Sequence, residues 1–279
     1  MIRIITDSTA DISLERAKEL NVGIVPLRVI VDGKEYKDCI ELTPEEFYRI
    51  LEEKDVTPTT SQPSPKDFLD AYQQGVENKD SIIVFTLSSG ISGTYQSANI
   101  AKDLAEYDDI HVVDTQTTIL AQRIIVEKAC QLRDAGKSVE EIVAFIEEFK
   151  TKVKLFAMVD TLEYFYKGGR LSKSTAAIGN LLKMKPIVSL VDGKLELVAK
   201  SRGTKKATAK VIDLINASGE INLNEQVYLG YTGTDDMMDK FEAILKEETG
   251  IQNDGYTIIG PVIGTHAGPG AKAIVYVEK

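Results

Sequence analysis

The chain predicts an α/β protein: an N-terminal, mainly parallel sheet with helices on both faces, followed by a C-terminal α+β unit with a mixed or antiparallel sheet. Two observations carry this. Through the first half, short apolar runs alternate with helix-like segments, the rhythm of a parallel sheet wrapped by helices. In the second half, hairpin signals join strands directly and helices fall between groups of strands. The change comes near residues 150–155, so two domains are expected, 1–152 and 153–279. A length of 279 residues suits one large core or two modest ones.

Each element has a local reason. Residues 2–6 form a short apolar strand, and 13–20 a helix behind a polar turn. A strand is expected over 23–31, and Asp32-Gly33 reads as a hairpin turn into 34–36. Thr43-Pro44-Glu45-Glu46 marks a helix start: a hydroxyl cap, Pro at the first helical position, Glu at the third. Residues 59–65 read as a Ser/Thr/Pro loop, and Ser64-Pro65-Lys66-Asp67 opens the next helix by the same logic. Runs at 82–87 and 110–113 are strands, each followed by a helix, and 139–152 is a long amphipathic helix. Beyond it, 155–159 is a strand and 176–184 a short apolar helix. Strands at 187–191 and 194–199 flank Asp192-Gly193, the strongest hairpin signal in the chain. Helices at 204–217 and 235–248 surround a strand at 226–231. Strands at 256–263 and 271–277 bracket a Gly-rich loop.

Composition narrows the function. Hydrophobic residues at 43% and charged residues at 27% match a soluble globular protein. No apolar run approaches the ~18 residues of a membrane span. The N-terminus lacks a signal-peptide pattern, so a cytoplasmic protein is expected. Cys39 and Cys130 share no metal-type spacing, and two histidines, His111 and His266, exclude a His-rich metal site. A net charge of −10 argues against nucleic-acid binding. The window 167–210 nevertheless carries +9 and the remainder −19, which suggests an anionic ligand or an acidic partner.

The most informative stretch is Ser88-Ser89-Gly90-Ile91-Ser92-Gly93-Thr94, where a strand ends and a helix begins. Helix N-termini offer free amides and a dipole that favours anions, and small hydroxyls add donors without bulk. The segment therefore reads as a cradle for a carboxylate or phosphate. Thr60-Ser61-Gln62-Pro63 is a second hydroxyl loop, stiffened by proline. Gly168-Gly169-Arg170 places a guanidinium able to grip an anion with two hydrogen bonds. Ser201-Arg202-Gly203-Thr204-Lys205-Lys206 is a second basic turn. His266, amid Gly and Pro, is poorly suited to core filling and reads as functional. Asp7 and Asp11 read either as loop and cap residues or as metal ligands. A serine hydrolase using Ser92 and His266 must be weighed, but Gly90-Ile91-Ser92-Gly93-Thr94 lacks the last glycine of a nucleophile elbow. No phosphate-loop or dinucleotide fingerprint is present.

Taken in order, these segments resemble the DegV family of bacterial fatty-acid-binding proteins. The matching stretches are Thr6-Asp7-Ser8 to Asp11, Thr60 to Ser64, Ser88 to Ala98, Val113-Asp114-Thr115, Gly168 to Leu171, Arg202-Gly203 and Gly264 to Gly270. The resemblance implies an N-terminal domain similar to one in dihydroxyacetone kinases, and a long-chain fatty acid held between two domains. It implies a carboxylate bound by Thr60, Ser61, Ser92, Gly93 and Thr94, with His266 nearby; the guanidinium of Arg170 is expected to join them and manage charge. No cofactor is expected besides the bound acid. The expected role is non-catalytic: to present the carboxylate to a separate ATP-binding kinase subunit, giving acyl phosphate for phospholipid synthesis. Arg202, Lys205, Lys206 and Lys173 would form the docking face, and transient contact with a membrane surface fits the same role. A sixteen-carbon tail gains up to roughly 12 kcal/mol on burial, at ~0.8 kcal/mol per CH₂, before ordering costs. Leu162, Phe165, Ile178, Leu181 and Leu182 are candidate tunnel residues. The alternatives are the serine esterase and a dihydroxyacetone-kinase-like subunit for a small keto-sugar.

Overall fold

A computed structural model describes residues 1–54, 56–171, 184–253 and 255–279. In chain order the first half holds β1 (Ile2–Asp7), α1 (Leu14–Glu19), β2 (Val22–Val25), β3 (Arg28–Val31), β4 (Lys34–Lys37), α2 (Pro44–Glu53) and β5 (Thr59–Ser61). It continues with α3 (Pro65–Asn78), β6 (Ser81–Thr86), α4 (Thr94–Ala105), β7 (Ile110–Asp114), α5 (Ile119–Asp134) and α6 (Val139–Lys152). The second half holds β8 (Val153–Met158), α7 (Glu163–Lys167), β9 (Met184–Val191), β10 (Lys194–Arg202) and α8 (Thr204–Ser218). It ends with β11 (Tyr228–Tyr231), α9 (Met238–Thr249), β12 (Tyr256–Ile258), α10 (Pro261–Ala267) and β13 (Lys272–Val277).

A four-stranded parallel sheet, β2-β1-β6-β7, forms as the alternation of strands and helices requires. Its strands are apolar on both faces because both are covered. Ile5, Ile82 and Val84 pack under Phe68 and Tyr72 of α3 and Ala98 of α4. Ile4, Ile83 and Phe85 face α5 and α6. Helix starts follow the capping chemistry: Thr43 with Glu46, Ser64 with Asp67 and Ser138 with Glu141 form reciprocal boxes.

The second sheet has six strands in the order β10-β9-β8-β13-β11-β12, antiparallel except for the β11–β12 pair. Helices α8 and α9 cover one face through Val211, Ile215, Phe241 and Leu245. The other face meets α5, whose residues join a cluster running from Ile4 to Val277. Helix α5 is thus buried between two sheets and is apolar on most of its circumference. Asp192 and Gly193 both adopt positive φ, the geometry of the expected hairpin turn.

Three expectations are corrected. The strand over 23–31 is broken at Pro26, which donates no ladder hydrogen bond. Here β2 ends in the parallel sheet and β3 starts a separate antiparallel sheet, β4-β3-β5. Residues 59–61 of the expected hydroxyl loop are a strand in that sheet. The strand over 256–263 stops at Ile258, and most of the Gly-rich loop is α10, started by Pro261 at its first position with Gly260 as cap. Lys173, Ile178, Leu181, Leu182 and the helix expected over 176–184 lie outside the described residues, apart from Met184 in β9. Among the described residues no helix is long and apolar enough to cross a membrane.

Candidate ligand-binding site

Helix α10 is positioned by residues far away in sequence. Asp11 accepts the Gly260 amide at 2.9 Å, and Asp38 accepts the Val262 amide at 3.2 Å and the Ser8 hydroxyl at 2.6 Å. Tyr48 donates to the Ile259 carbonyl at 2.9 Å. Two carboxylates at a helix start are favoured by its dipole. Burial pushes the Asp38 carboxyl up to about 6, and burial with the nearby Asp38 charge pushes Asp11 well above its usual range. Asp11 therefore caps a helix, as one of its two readings held, but one 249 residues away and not its own neighbour. Ser13 caps α1.

This anchoring sets His266, in the last turn of α10, against Thr60 on β5, with Thr60 Oγ1 and His266 Nε2 2.8 Å apart. The imidazole is 8% exposed, and Nδ1 has no partner among the described residues. Gly168 lets the ring approach: a Cβ there would overlap Nδ1. Burial, and then the Arg170 charge, lower the His266 pKa to about 4, so the ring is neutral near pH 7. Arg170 donates from Nε to the Ile91 carbonyl at 3.1 Å and from Nη1 to the Gly168 carbonyl at 2.6 Å. Burial lowers its pKa. No carboxylate pairs with it among the described residues, which leaves a half-buried cation beside the cavity.

Thr60, Ser92, Arg170 and His266 all line one cavity of about 90 Å³. Beyond them its walls are mostly apolar, from Leu27, Leu87 and Ile91 on one side to Val159, Val188 and Leu195 on the other. Its floor has a simple origin. Val188, Ala157, Ala273 and Gly230 are successive cross-strand partners on β9, β8, β13 and β11, and direct partners point to the same face. Small side chains in register leave a trough across the sheet. Thr60, Arg170 and His266 also border a second, more polar cavity with Thr57, Lys167 and Thr265, a vestibule that adjoins the first at these three residues.

The other expected residues are placed as follows. Ser92 Oγ lies 2.9 Å from Thr94 Oγ1 and accepts the Thr94 amide at 3.3 Å, and Gly93 is the cap position of α4. Ser61 follows Thr60 on β5, so its side chain takes the opposite face, and it lines neither cavity. Phe165 lines the cavity, while Leu162 is buried in the cluster behind it. Arg202, Lys205 and Lys206 are exposed at the β10–α8 junction. The hydrolase arrangement does not form: Ser92 meets Thr94, and His266 meets Thr60. Sequence reasoning missed Ala157, Ala273 and Gly230. The available signal was small residues inside strands, where they are disfavoured without a reason.

Fold and site together define an α/β protein with two main sheets and a mostly apolar cavity at which Thr60, Ser92, Arg170 and His266 come together. The chain belongs to the DegV family: the family model, described as an uncharacterised protein of the DegV family, matches residues 1–279. A DegV domain-containing protein of Caldanaerobacter subterraneus is 37% identical over 278 residues, covering 100% of this chain and 99% of the relative. A solved structure described as fatty acid binding by a DegV family protein from Thermus thermophilus superposes with a TM-score of 0.90 at 32% identity, covering 100% of this chain and 99% of that one. A stearic acid-binding protein from Eubacterium ventriosum gives a TM-score of 0.90 at 27% identity, with coverage of 100% and 99%.

Proposed function

We propose that this protein binds a long-chain fatty acid and presents its carboxylate to a separate ATP-dependent kinase subunit, which returns acyl phosphate for phospholipid synthesis. One observation carries the reading: a mostly apolar cavity is bordered by the hydroxyls of Thr60 and Ser92, a neutral imidazole and a half-buried guanidinium. An anionic head with a long apolar tail matches both at once. A keto-sugar would leave the trough unfilled.

In this reading Thr60 and Ser92 donate to the carboxylate, Gly93 and Thr94 hold the turn that presents Ser92, and Arg170 balances the charge. The neutral His266 fixes Thr60 in place for the carboxylate. Ser61 contributes through the backbone of β5. Residues 1–152 and 153–279 are taken as two domains, although the trough draws walls from both: Leu27, Leu87 and Ile91 from the first, Val188 and Leu195 from the second. A carboxylate oxygen facing the vestibule attacks the terminal phosphorus of ATP held by the partner. The bond to the bridging oxygen breaks and ADP leaves, with Arg170 offsetting charge on the transferring group. The carrier itself supplies binding and orientation.

The test is mass spectrometry of an organic extract of the purified protein, with uptake of added palmitate. A near-stoichiometric long-chain acid is expected. Ser92→Ala should weaken palmitate binding ~10-fold or more, the cost of a lost hydrogen bond to a charged group. An empty extract and no uptake by the parent protein would refute the reading.

A further inference from the structure

The cradle loop after β6 hangs from a residue that touches no part of the cavity. Ser88 is fully buried. Its hydroxyl donates to the Gly193 carbonyl at 2.6 Å and accepts the Gly90 amide at 3.1 Å. Its amide donates to the Thr117 carbonyl at 2.8 Å, and its carbonyl accepts the amides of Ile91 and Ser92, each at 3.2 Å. Every polar group of Ser88 is engaged, and three of the four following residues take their position from it.

Gly193 is the tip of the β9–β10 hairpin, 105 residues away. The two backbones meet glycine to glycine. A Cβ on Gly90 would overlap the Gly193 carbonyl, and a Cβ on Gly193, which has φ +74, would lie 2.6 Å from Ser88 Oγ. Three residues further along the loop, the Ile91 carbonyl takes the Arg170 hydrogen bond. The 88–92 loop is therefore suspended between two anchors of the second half of the chain, the hairpin tip at Ser88 and Arg170 at Ile91, and Ser92 directly follows the second.

We propose that Ser88 and the hairpin tip at Gly193 form a clasp that positions Ser92 and its neighbouring amides for an anionic head group, so that the second sheet sets the head-group preference of a cradle built by the first. Ser88 is a positioning residue; it does not touch the ligand. The inference rests on the fatty-acid reading above and deepens it. Neither Ser88 nor the hairpin tip at Gly193 lines the cavity, so loss of the clasp should cost recognition of the carboxylate and spare the tail.

The experiment compares palmitate with 1-hexadecanol, which keeps the tail and replaces the carboxylate, both delivered from cyclodextrin and read by competition against a fluorescent fatty acid. The parent should prefer palmitate. Ser88→Ala should weaken palmitate ~10-fold and leave hexadecanol within about twofold, the scale of one lost hydrogen bond near a charge. Gly193→Ala, whose Cβ displaces the Ser88 hydroxyl, should give the same split and serves if Ser88→Ala does not fold. Equal weakening of both ligands, or no change in either, would overturn the clasp and leave the fatty-acid reading standing. A parent that takes up neither ligand overturns that reading, and the clasp with it.

Discussion

His266 shows how one residue's surroundings set its chemistry. Burial and Arg170 hold its pKa at about 4, below the ordinary 6.5. The unfolded chain therefore takes up this proton first as the pH falls. The residue's contribution to stability is complete above about 6.5 and is lost as the pH drops towards about 4. A carboxylate bound beside Thr60 would favour the imidazolium and raise the pKa. Imidazole proton shifts followed by NMR should titrate near 4 in the empty protein and at a higher pH with palmitate bound. A midpoint near 6.5 in the empty protein would show that the ring is not buried as described.

At the level of elements, the trough exists because three neighbouring strands carry Ala157, Ala273 and Gly230 in register. Larger residues would close the sheet against α5, as Leu155 and Val275 do one pair along. Ala273→Leu should fill the trough midway. The expected result is a fall of ~10-fold or more in affinity for sixteen- and eighteen-carbon acids with a smaller loss for ten-carbon acids, plus ~1–3 kcal/mol of destabilisation from overpacking. A chain-length series of binding constants and a urea titration check both parts. An unchanged chain-length profile would place the tail elsewhere.

Across the whole molecule, charge is segregated. The window 167–210 is strongly basic within an acidic chain, and Arg202, Lys205 and Lys206 are exposed at one junction. Attraction between such a face and an acidic partner speeds encounter and fixes orientation more than it adds affinity. Arg202→Glu with Lys205→Glu should leave stability within ~0.5 kcal/mol per site, as surface substitutions do. Palmitate binding should be unchanged. Acyl-phosphate formation with the kinase subunit should fall ~10-fold or more, an effect of the size expected for interface charge pairs. Unimpaired turnover would show that the partner docks elsewhere.

What the sequence determined by itself was local: the strand–helix alternation, the capping boxes at Thr43, Ser64 and Ser138, the Asp192-Gly193 turn and hence the fold class. These signals act over a few residues, and so they can be read in order along the chain. Thr60, Ser92, Arg170 and His266 also stand out in the sequence by residue type, and folding brings them to one cavity. Tertiary structure alone decided the rest. Pro26 splits an apolar run between two sheets, and strand alternation turns Thr60 toward the cavity and Ser61 away from it. Asp11 caps α10 from 249 residues away, and Ser88 reaches Gly193 across 105. The trough depends on register between strands brought together only by folding. Such contacts join groups that no local pattern links, so they emerge only when the two sheets close on α5.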